Sequence, residues 1–330
     1  MKELQGRGEG NPLAVDALVA ETARGFDSKA NWPRRLERFS KAKERTLLMC
    51  DFITSDPVHK DFFKKEAEEL RHCGSWMMFH DYYLLGKVRL AMTRSCRQHL
   101  LCPLCAIRRG SRALSVYLKR VELVLKENPS VELHMVTFTV KNGPDLAERI
   151  KHLVDSVKAS NKRRHLGRGS EFEKCLGSFW SYEVKRGGGS GLWHPHVHCV
   201  WICSKDAPPD AVALSHEWHS ITGDSFIIET HPLYGDLAAA FCEVLKYALK
   251  FSDMPLSDNL DAYELLRGRR LIASNGLLWG VEIPEAMEDE IDEFSEGAAF
   301  AELFVRYFPG GGYLSPGSVD HVASNYLEVA

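Results

Sequence analysis

Residues Gly177 to Ile202, GSFWSYEVKRGGGSGLWHPHVHCVWI, constrain the fold more than any other stretch. Two alternating runs flank the reversal Gly187-Gly188-Gly189-Ser190-Gly191, the pattern of an antiparallel hairpin with one buried face. Side chains alternate across a strand, so Trp180, Tyr182 and Val184 share one face and Phe179, Ser181, Glu183 and Lys185 the other. In the second run His196, His198, Val200 and Ile202 share a face, and Val197, Cys199 and Trp201 point the opposite way. A hairpin symmetric about the glycines sets Glu183 opposite His196 and diagonal to His198, within cross-strand reach. Two imidazoles and a carboxylate then converge. That N,N,O set suits a divalent ion such as Mn²⁺ or Mg²⁺ rather than a thiophilic one. His194 is either a third imidazole or a side chain at the mouth of the strand. The plain alternative is a partly exposed strand end; two histidines in phase with a facing acid weigh against it.

At 330 residues the chain has material for one large domain or two moderate ones, and 45% hydrophobic content is that of a soluble globular protein. Nothing at the N-terminus resembles a signal peptide and no apolar run is long enough to span a membrane, so a cytoplasmic protein without a membrane partner is expected. Nine cysteines, an odd number with three at ligand-like spacing, suit a reducing compartment and a metal better than a disulfide framework. The net charge of -3 conceals an asymmetry: Lys87 to Lys126 holds ten Lys or Arg against one Glu, and Glu282 to Glu296 holds eight acids and no base. The basic block is a candidate phosphate surface, although a charge run is more often a solvated helix face.

Along the chain, residues 1–70 form a helical N-terminal segment: 1–30 are polar, and Trp32 to Leu70 is helical with a break near Ser55-Asp56-Pro57. Residues 71–130 are expected to be a zinc-binding module and a basic helix. Cys102-x-x-Cys105 has the spacing of a zinc knuckle, and Cys96 with either Cys73 or His99 would complete a tetrahedron. Separate buried cysteines or a redox pair are the alternatives. Strands are expected around Trp76, Met78 and Tyr82, then a helix from Ala106 to Lys126 with Leu114, Tyr117, Leu118, Val121 and Leu125 inward and Arg108, Arg109, Arg112, Lys119 and Arg120 largely off that face.

Residues 131–281 begin with a strand, Glu132 to Val140, ended by Asn142-Gly143-Pro144, whose proline opens a helix with the core stripe Leu146, Ile150, Leu153 and Val157. A basic loop at Asn161-Lys162-Arg163-Arg164-His165 leads to the hairpin. Asp210 to Thr222 reads as helix and Ser225 to Glu229 as a short strand. In the helix Leu237 to Lys250, Glu243, Tyr247 and Lys250 follow i, i+4, i+7 beside the buried stripe Phe241, Val244, Leu245 and Ala248. Taken alone, that is an ordinary amphipathic helix. Leu265 to Ile272, with Arg269 and Arg270, reads as a basic turn, and 282–330 as a peripheral acidic extension.

Together these residues resemble the plasmid rolling-circle replication initiators, a single-tyrosine branch of the HUH endonucleases. The resemblance runs from Cys73 to Gly276 and rests on Cys73-Gly74, Cys96, Cys102-Pro103-Leu104-Cys105, Val136-Thr137-Phe138-Thr139, His194 to His198, and Glu243, Tyr247 and Lys250 in order. The interval from Cys96 to Cys102 is one residue longer than the family pattern, and the acidic extension has no counterpart. The resemblance implies an α+β fold, an HUH-type antiparallel sheet palm flanked by helices, with an N-terminal zinc-stapled module. It implies that Tyr247 attacks a DNA phosphodiester to give a 5'-phosphotyrosine, with Lys250 stabilising the phenolate and Glu243 activating the group that ends the cycle. The ion, Mn²⁺ or Mg²⁺, would lie on His196, His198 and Glu183, and structural Zn²⁺ on Cys73, Cys96, Cys102 and Cys105, with His99 a substitute. Implied partners are single-stranded and hairpin origin DNA, a host helicase and a polymerase. Arg108, Arg109, Arg112, Lys162, Arg163, Arg164, Arg269 and Arg270 are the candidate DNA contacts.

Three other readings share parts of this pattern. His194, His196 and His198 also fit a histidine-triad nucleotide hydrolase or transferase with His196 as nucleophile. A non-catalytic, zinc-dependent DNA-binding protein would use the histidine strand structurally. Within the HUH group, a transposase or relaxase shares the chemistry.

Overall fold

The computed structural model describes residues 27–245, 254–283, 289 and 298–315, apart from the side chain of Glu243. In chain order the elements are α1 (Trp32–Ser55), α2 (Pro57–Phe62), α3 (Lys64–His72), β1 (Trp76–Tyr82), β2 (Lys87–Thr93), α4 (Pro103–Glu127), β3 (Val131–Thr139) and α5 (Leu146–Leu166). They continue with β4 (Gly177–Arg186), β5 (Trp193–Ser204), α6 (Ala211–Thr222), β6 (Ile228–Pro232), α7 (Leu237–Leu245), α8 (Leu256–Leu266), β7 (Ile272–Gly276), β8 (Ala301–Phe308) and β9 (Gly312–Leu314). The fold is α+β with antiparallel sheets and helices. Two compact units divide it, Met1–Arg109 with Glu285–Ala330, and Gly110–Pro284.

In the first unit, the helical break expected near Ser55 is made by Asp56, whose carboxylate accepts from the Val58 and His59 amides at 2.9 Å, while Pro57 occupies the first turn of α2. Not all the charges of α1 face solvent: Arg35, Arg38 and Lys43 are buried. Arg35 donates to the Val88 carbonyl at 3.1 Å and to Asp289 at 2.6 Å, and Lys43 to the Arg71 carbonyl at 2.7 Å. The buried charges of Arg35 and Lys43 persist because each has oxygen partners.

The C-terminal region is not peripheral where it is described. β8 pairs with β1 from Trp76↔Arg306 to Asp81↔Ala301, and β9 pairs with β8, giving the sheet order β2-β1-β8-β9. The acidic composition next to it masked a strand whose backbone completes the edge of β1. Asp289, inside the acidic run, ion-pairs with both Arg35 and Arg108 at 2.6 Å.

In the second unit, five antiparallel strands lie in the order β6-β3-β5-β4-β7. The hairpin register runs from Gly177↔Ile202 to Arg186↔Trp193 and includes Glu183↔His196 and Ser181↔His198. One sheet face carries Phe138, Trp201 and Cys199; Phe138 packs on Trp218 of α6 at 4.8 Å between ring centroids, and the Trp218 indole donates to the Thr139 carbonyl at 2.7 Å. The other face carries the histidines and Phe179, which stacks on Tyr117 of α4 at 4.4 Å and meets Phe241 of α7 at 4.9 Å.

Four boundaries differ from the sequence expectation. The cap of α5 is Asp145, which accepts from the Glu148 amide at 3.1 Å, so Pro144 stands outside the helix. The basic stretch 161–165 is the last turn of α5 rather than a loop, where cations complement the helix dipole, and Gly167 at φ 70° ends it. The short strand begins at Ile228 because Ser225 and Ile227 spend their amides on the Thr222 and Ser225 hydroxyls. The stretch after Leu271 is not only a turn: Ile272–Gly276 pairs with β4 as an edge strand.

Candidate metal centres

The hairpin builds the first centre from two strands. Because Glu183 and His196 are directly opposite, the glutamate Oε2 is bonded by His196 Nε2 and lies 3.1 Å from His198 Nε2. All three side chains are buried, Glu183 at 1% exposure. The imidazole rings meet edge to face at 4.6 Å between centroids. His198 Nδ1 lies 2.9 Å from Thr137 Oγ1, its partner across β3. His196 Nδ1 donates to the His194 carbonyl at 3.3 Å.

That arrangement bears directly on a cation. The His194 carbonyl only accepts, so the Nδ1 proton of His196 is committed to it, and Nε2 faces a carboxylate oxygen that also only accepts. His196 Nε2 and the Glu183 carboxylate are lone-pair donors of the kind a divalent cation would bridge. The 3.1 Å between Glu183 Oε2 and His198 Nε2 matches adjacent positions around an ion with bonds of about 2.1 Å, whereas His196 Nε2 sits closer to that oxygen, as a direct hydrogen-bond partner does. Burial alone would raise the carboxyl of Glu183, but hydrogen bonds from His196 and His198 outweigh it and hold the group at about 2. Burial lowers His198, partly offset by Glu183. The site thus sets an ionised carboxylate against two imidazoles, residue types that a divalent ion would take as ligands once Nε2 is unprotonated.

His194 is not part of this group. Its Nδ1 lies 2.5 Å from Asn142 Oδ1, and burial together with neighbouring His196 pushes it down to about 4. Sequence reading missed Asn142 as its anchor and gave Thr137 no role. The available signal was a hydroxyl within the otherwise apolar run Met135-Val136-Thr137-Phe138, in register with His198.

The second centre gathers Cys73, Cys96, Cys102 and Cys105, whose sulfurs all lie within 4.8 Å of one another. Cys73 Sγ is 3.6 Å from both Cys102 and Cys105, and Cys96 Sγ is 3.6 Å from Cys105. A tetrahedron with metal–sulfur bonds of about 2.3 Å has edges of about 3.8 Å, so the four thiols are spaced for one ion and too far apart for disulfides. All nine cysteines are free. The fourth corner is therefore Cys73, and His99 lies outside the group, pushed down to about 4 by burial and Arg109. Gly74 makes the turn possible: at φ +61° an added Cβ would lie 2.3 Å from Leu104 Cδ2. Buried Lys43, held on the Leu70 and Arg71 carbonyls, supplies positive charge toward these sulfurs.

Residues 87–221 match a family described as "Replication protein". A "Protein rep" from Streptococcus pneumoniae serotype 2 is 24% identical over 268 residues, 72% of this chain and 81% of that protein. A "Protein rep" from a Bacillus species is 22% identical over 251 residues, 66% of this chain and 80% of that protein. The chain is similar to these Rep proteins over most of their length. The stretch that matches the replication-protein family holds Glu183, His196, His198, Cys96, Cys102 and Cys105 but ends before α7. No solved structure matches the chain.

The remaining site residues expected from sequence divide into three groups. Tyr247, Lys250 and the side chain of Glu243 lie outside the described residues. Arg108 and Arg112 do not face solvent: at 2% and 8% exposure they are buried, Arg108 on Asp289, because the helix face they share is packed rather than solvated. Lys162, Arg269 and Arg270 are exposed and Arg109 half-exposed. Arg163 donates to Ser220 at 2.8 Å and Arg164 to the Cys175 carbonyl at 3.2 Å. Among the described residues no helix is long and apolar enough to cross a membrane.

Proposed function

We propose that this chain is a plasmid rolling-circle replication initiator that nicks and rejoins single-stranded origin DNA on an HUH-type palm. The observation that carries the reading is the buried Glu183 carboxylate closed by two imidazoles on the sheet face that also receives α7. Ser181, the cross-strand partner of His198, donates to the Val244 carbonyl at 2.5 Å, three residues before Tyr247 in sequence. The similarity to two Rep proteins over most of their length supports the same reading.

In this proposal His196, His198 and Glu183 hold Mn²⁺ or Mg²⁺. When bound, such an ion supplies Lewis-acid stabilisation to the non-bridging oxygens of a phosphodiester. Glu183 stays ionised, and Thr137 fixes the His198 ring with Nε2 directed inward. The Tyr247 phenol oxygen forms a bond to phosphorus as the bond to the 3' oxygen breaks, leaving a 5'-phosphotyrosine and a free 3'-hydroxyl. A phenol with a pKa of about 10 needs help at neutral pH, and Lys250, three residues on in sequence, stabilises its charge. Glu243 accepts the proton of the group that resolves the intermediate. The four cysteines hold Zn²⁺ structurally, since four protein ligands leave no open position. Arg109, Lys162, Arg163, Arg164, Arg269 and Arg270 contact the strand, and in the cytoplasm a host helicase separates the duplex while a polymerase extends the 3'-hydroxyl.

Incubation with single-stranded origin DNA and Mn²⁺ should give a protein–DNA adduct on a denaturing gel, absent for Tyr247→Phe. An adduct that persists in Tyr247→Phe, or none under any metal, would overturn the proposal.

A further inference from the structure

On the face of the sheet opposite the metal ligands, a cavity of about 360 Å³ opens between α5, β4 and the turn before β7. Trp180 and Tyr182 of β4 lie at its floor, and Ile150 and Val154 of α5 form an aliphatic wall. Arg269 and Arg270, both exposed, and Lys158 stand on its rim, and no acidic side chain lines it among the described residues. Arg269 anchors its Nε on the Leu265 carbonyl at 2.9 Å, and Lys158 shares its charge with Asp155 at 3.2 Å.

We propose that this cavity takes one unstacked nucleotide of a single DNA strand, the base against Trp180 and Tyr182 and the flanking phosphates on Arg269 and Arg270. The volume is within the range of about 300–1,000 Å³ that holds small ligands. Aromatic floors bind any base through its π-face, and a cationic rim tracks the phosphates. An apolar peptide or lipid chain would make no use of the cations; a free anion would make none of the aromatic floor. The inference rests on the DNA reading above but places a contact away from the metal ligands. Trp180 and Tyr182 share β4 with Glu183 and point to its other face, so the strand would be gripped on both sides of one β-strand.

The test uses the full chain and a short oligo(dT) carrying 5-iododeoxyuridine, crosslinked by ultraviolet light and mapped by mass spectrometry. Crosslinks at Trp180 or Tyr182 are expected, and Arg269→Ala with Arg270→Ala should weaken oligo(dT) binding roughly 10-fold and flatten its salt dependence. Unmodified oligo(dT) should compete at far lower concentration than dTMP. Competition by dTMP at equal concentration would make the ligand a free nucleotide and overturn the strand assignment. Crosslinks mapping only to other peptides, while origin DNA still forms the adduct that Tyr247→Phe abolishes, would overturn the cavity and leave the nicking reading intact. Crosslinks at the cavity without any adduct would do the reverse.

Discussion

At the scale of single residues, the histidine face turns on which atoms can accept. His196 is bounded by a carbonyl and a carboxylate, and His198 by a hydroxyl and the same carboxylate. Thr137 is the least conspicuous member and makes a sharp test. Thr137→Val removes the partner of His198 Nδ1 with little change in volume, and should weaken Mn²⁺ binding about 10- to 100-fold in calorimetric titration. Glu183 gives a pH signature. Its folded value is depressed from 4.5 to about 2, so its contribution to stability is complete above the ordinary carboxylate range and is lost as pH falls through the folded value. In metal-free protein, the urea midpoints of wild type and Glu183→Gln should therefore differ near neutral pH and converge as pH falls from about 4.5 toward 2. A constant gap across that window would contradict the ionised state assigned to Glu183.

At the scale of elements, the hairpin was legible because period-two patterning and a glycine-rich reversal fix register without outside help. The Glu183↔His196 pairing follows from counting residues across that turn. The cysteine turn was legible in part. Spacing named Cys102, Cys105 and Cys96, but the choice between Cys73 and His99 depended on how α3 leads into β1 through Gly74. Gly74→Ala should destabilise this turn by roughly 2 kcal/mol or more, since φ +61° and the Leu104 contact both oppose a Cβ. Denaturant titration would measure the loss, and zinc content after gel filtration should fall with it. The ends of α5 and β6 were misplaced by a few residues because capping and turn hydrogen bonds, rather than hydrophobic pattern, decide where those elements stop.

At the scale of the whole molecule, chain order and spatial grouping diverge. Residues from both ends of the sequence share the first unit, and Asp289 is the polar link: its carboxylate meets Arg35 and Arg108 and accepts from the Leu90 amide at 2.7 Å. Burial would raise that carboxyl, but the two guanidinium groups outweigh it and hold it well below the usual carboxylate range. Asp289→Asn would leave two buried cations without their counter-charge and should cost about 3–5 kcal/mol, measurable by chemical denaturation. A loss under 1 kcal/mol would show that Arg35 and Arg108 are compensated elsewhere.

The sequence by itself determined the hairpin register, the candidate N,N,O set and three of the four cysteines, because periodicity and short spacings act over distances the local chain sets; the α+β class came from the family resemblance. Only tertiary structure decided that Cys73 rather than His99 closes the cluster, that Arg108 is an interior ion-pair partner, and that the C-terminal strand β8 lies against β1. Those outcomes depend on which groups from distant parts of the chain bury one another's charge and backbone, and no local pattern carries that information.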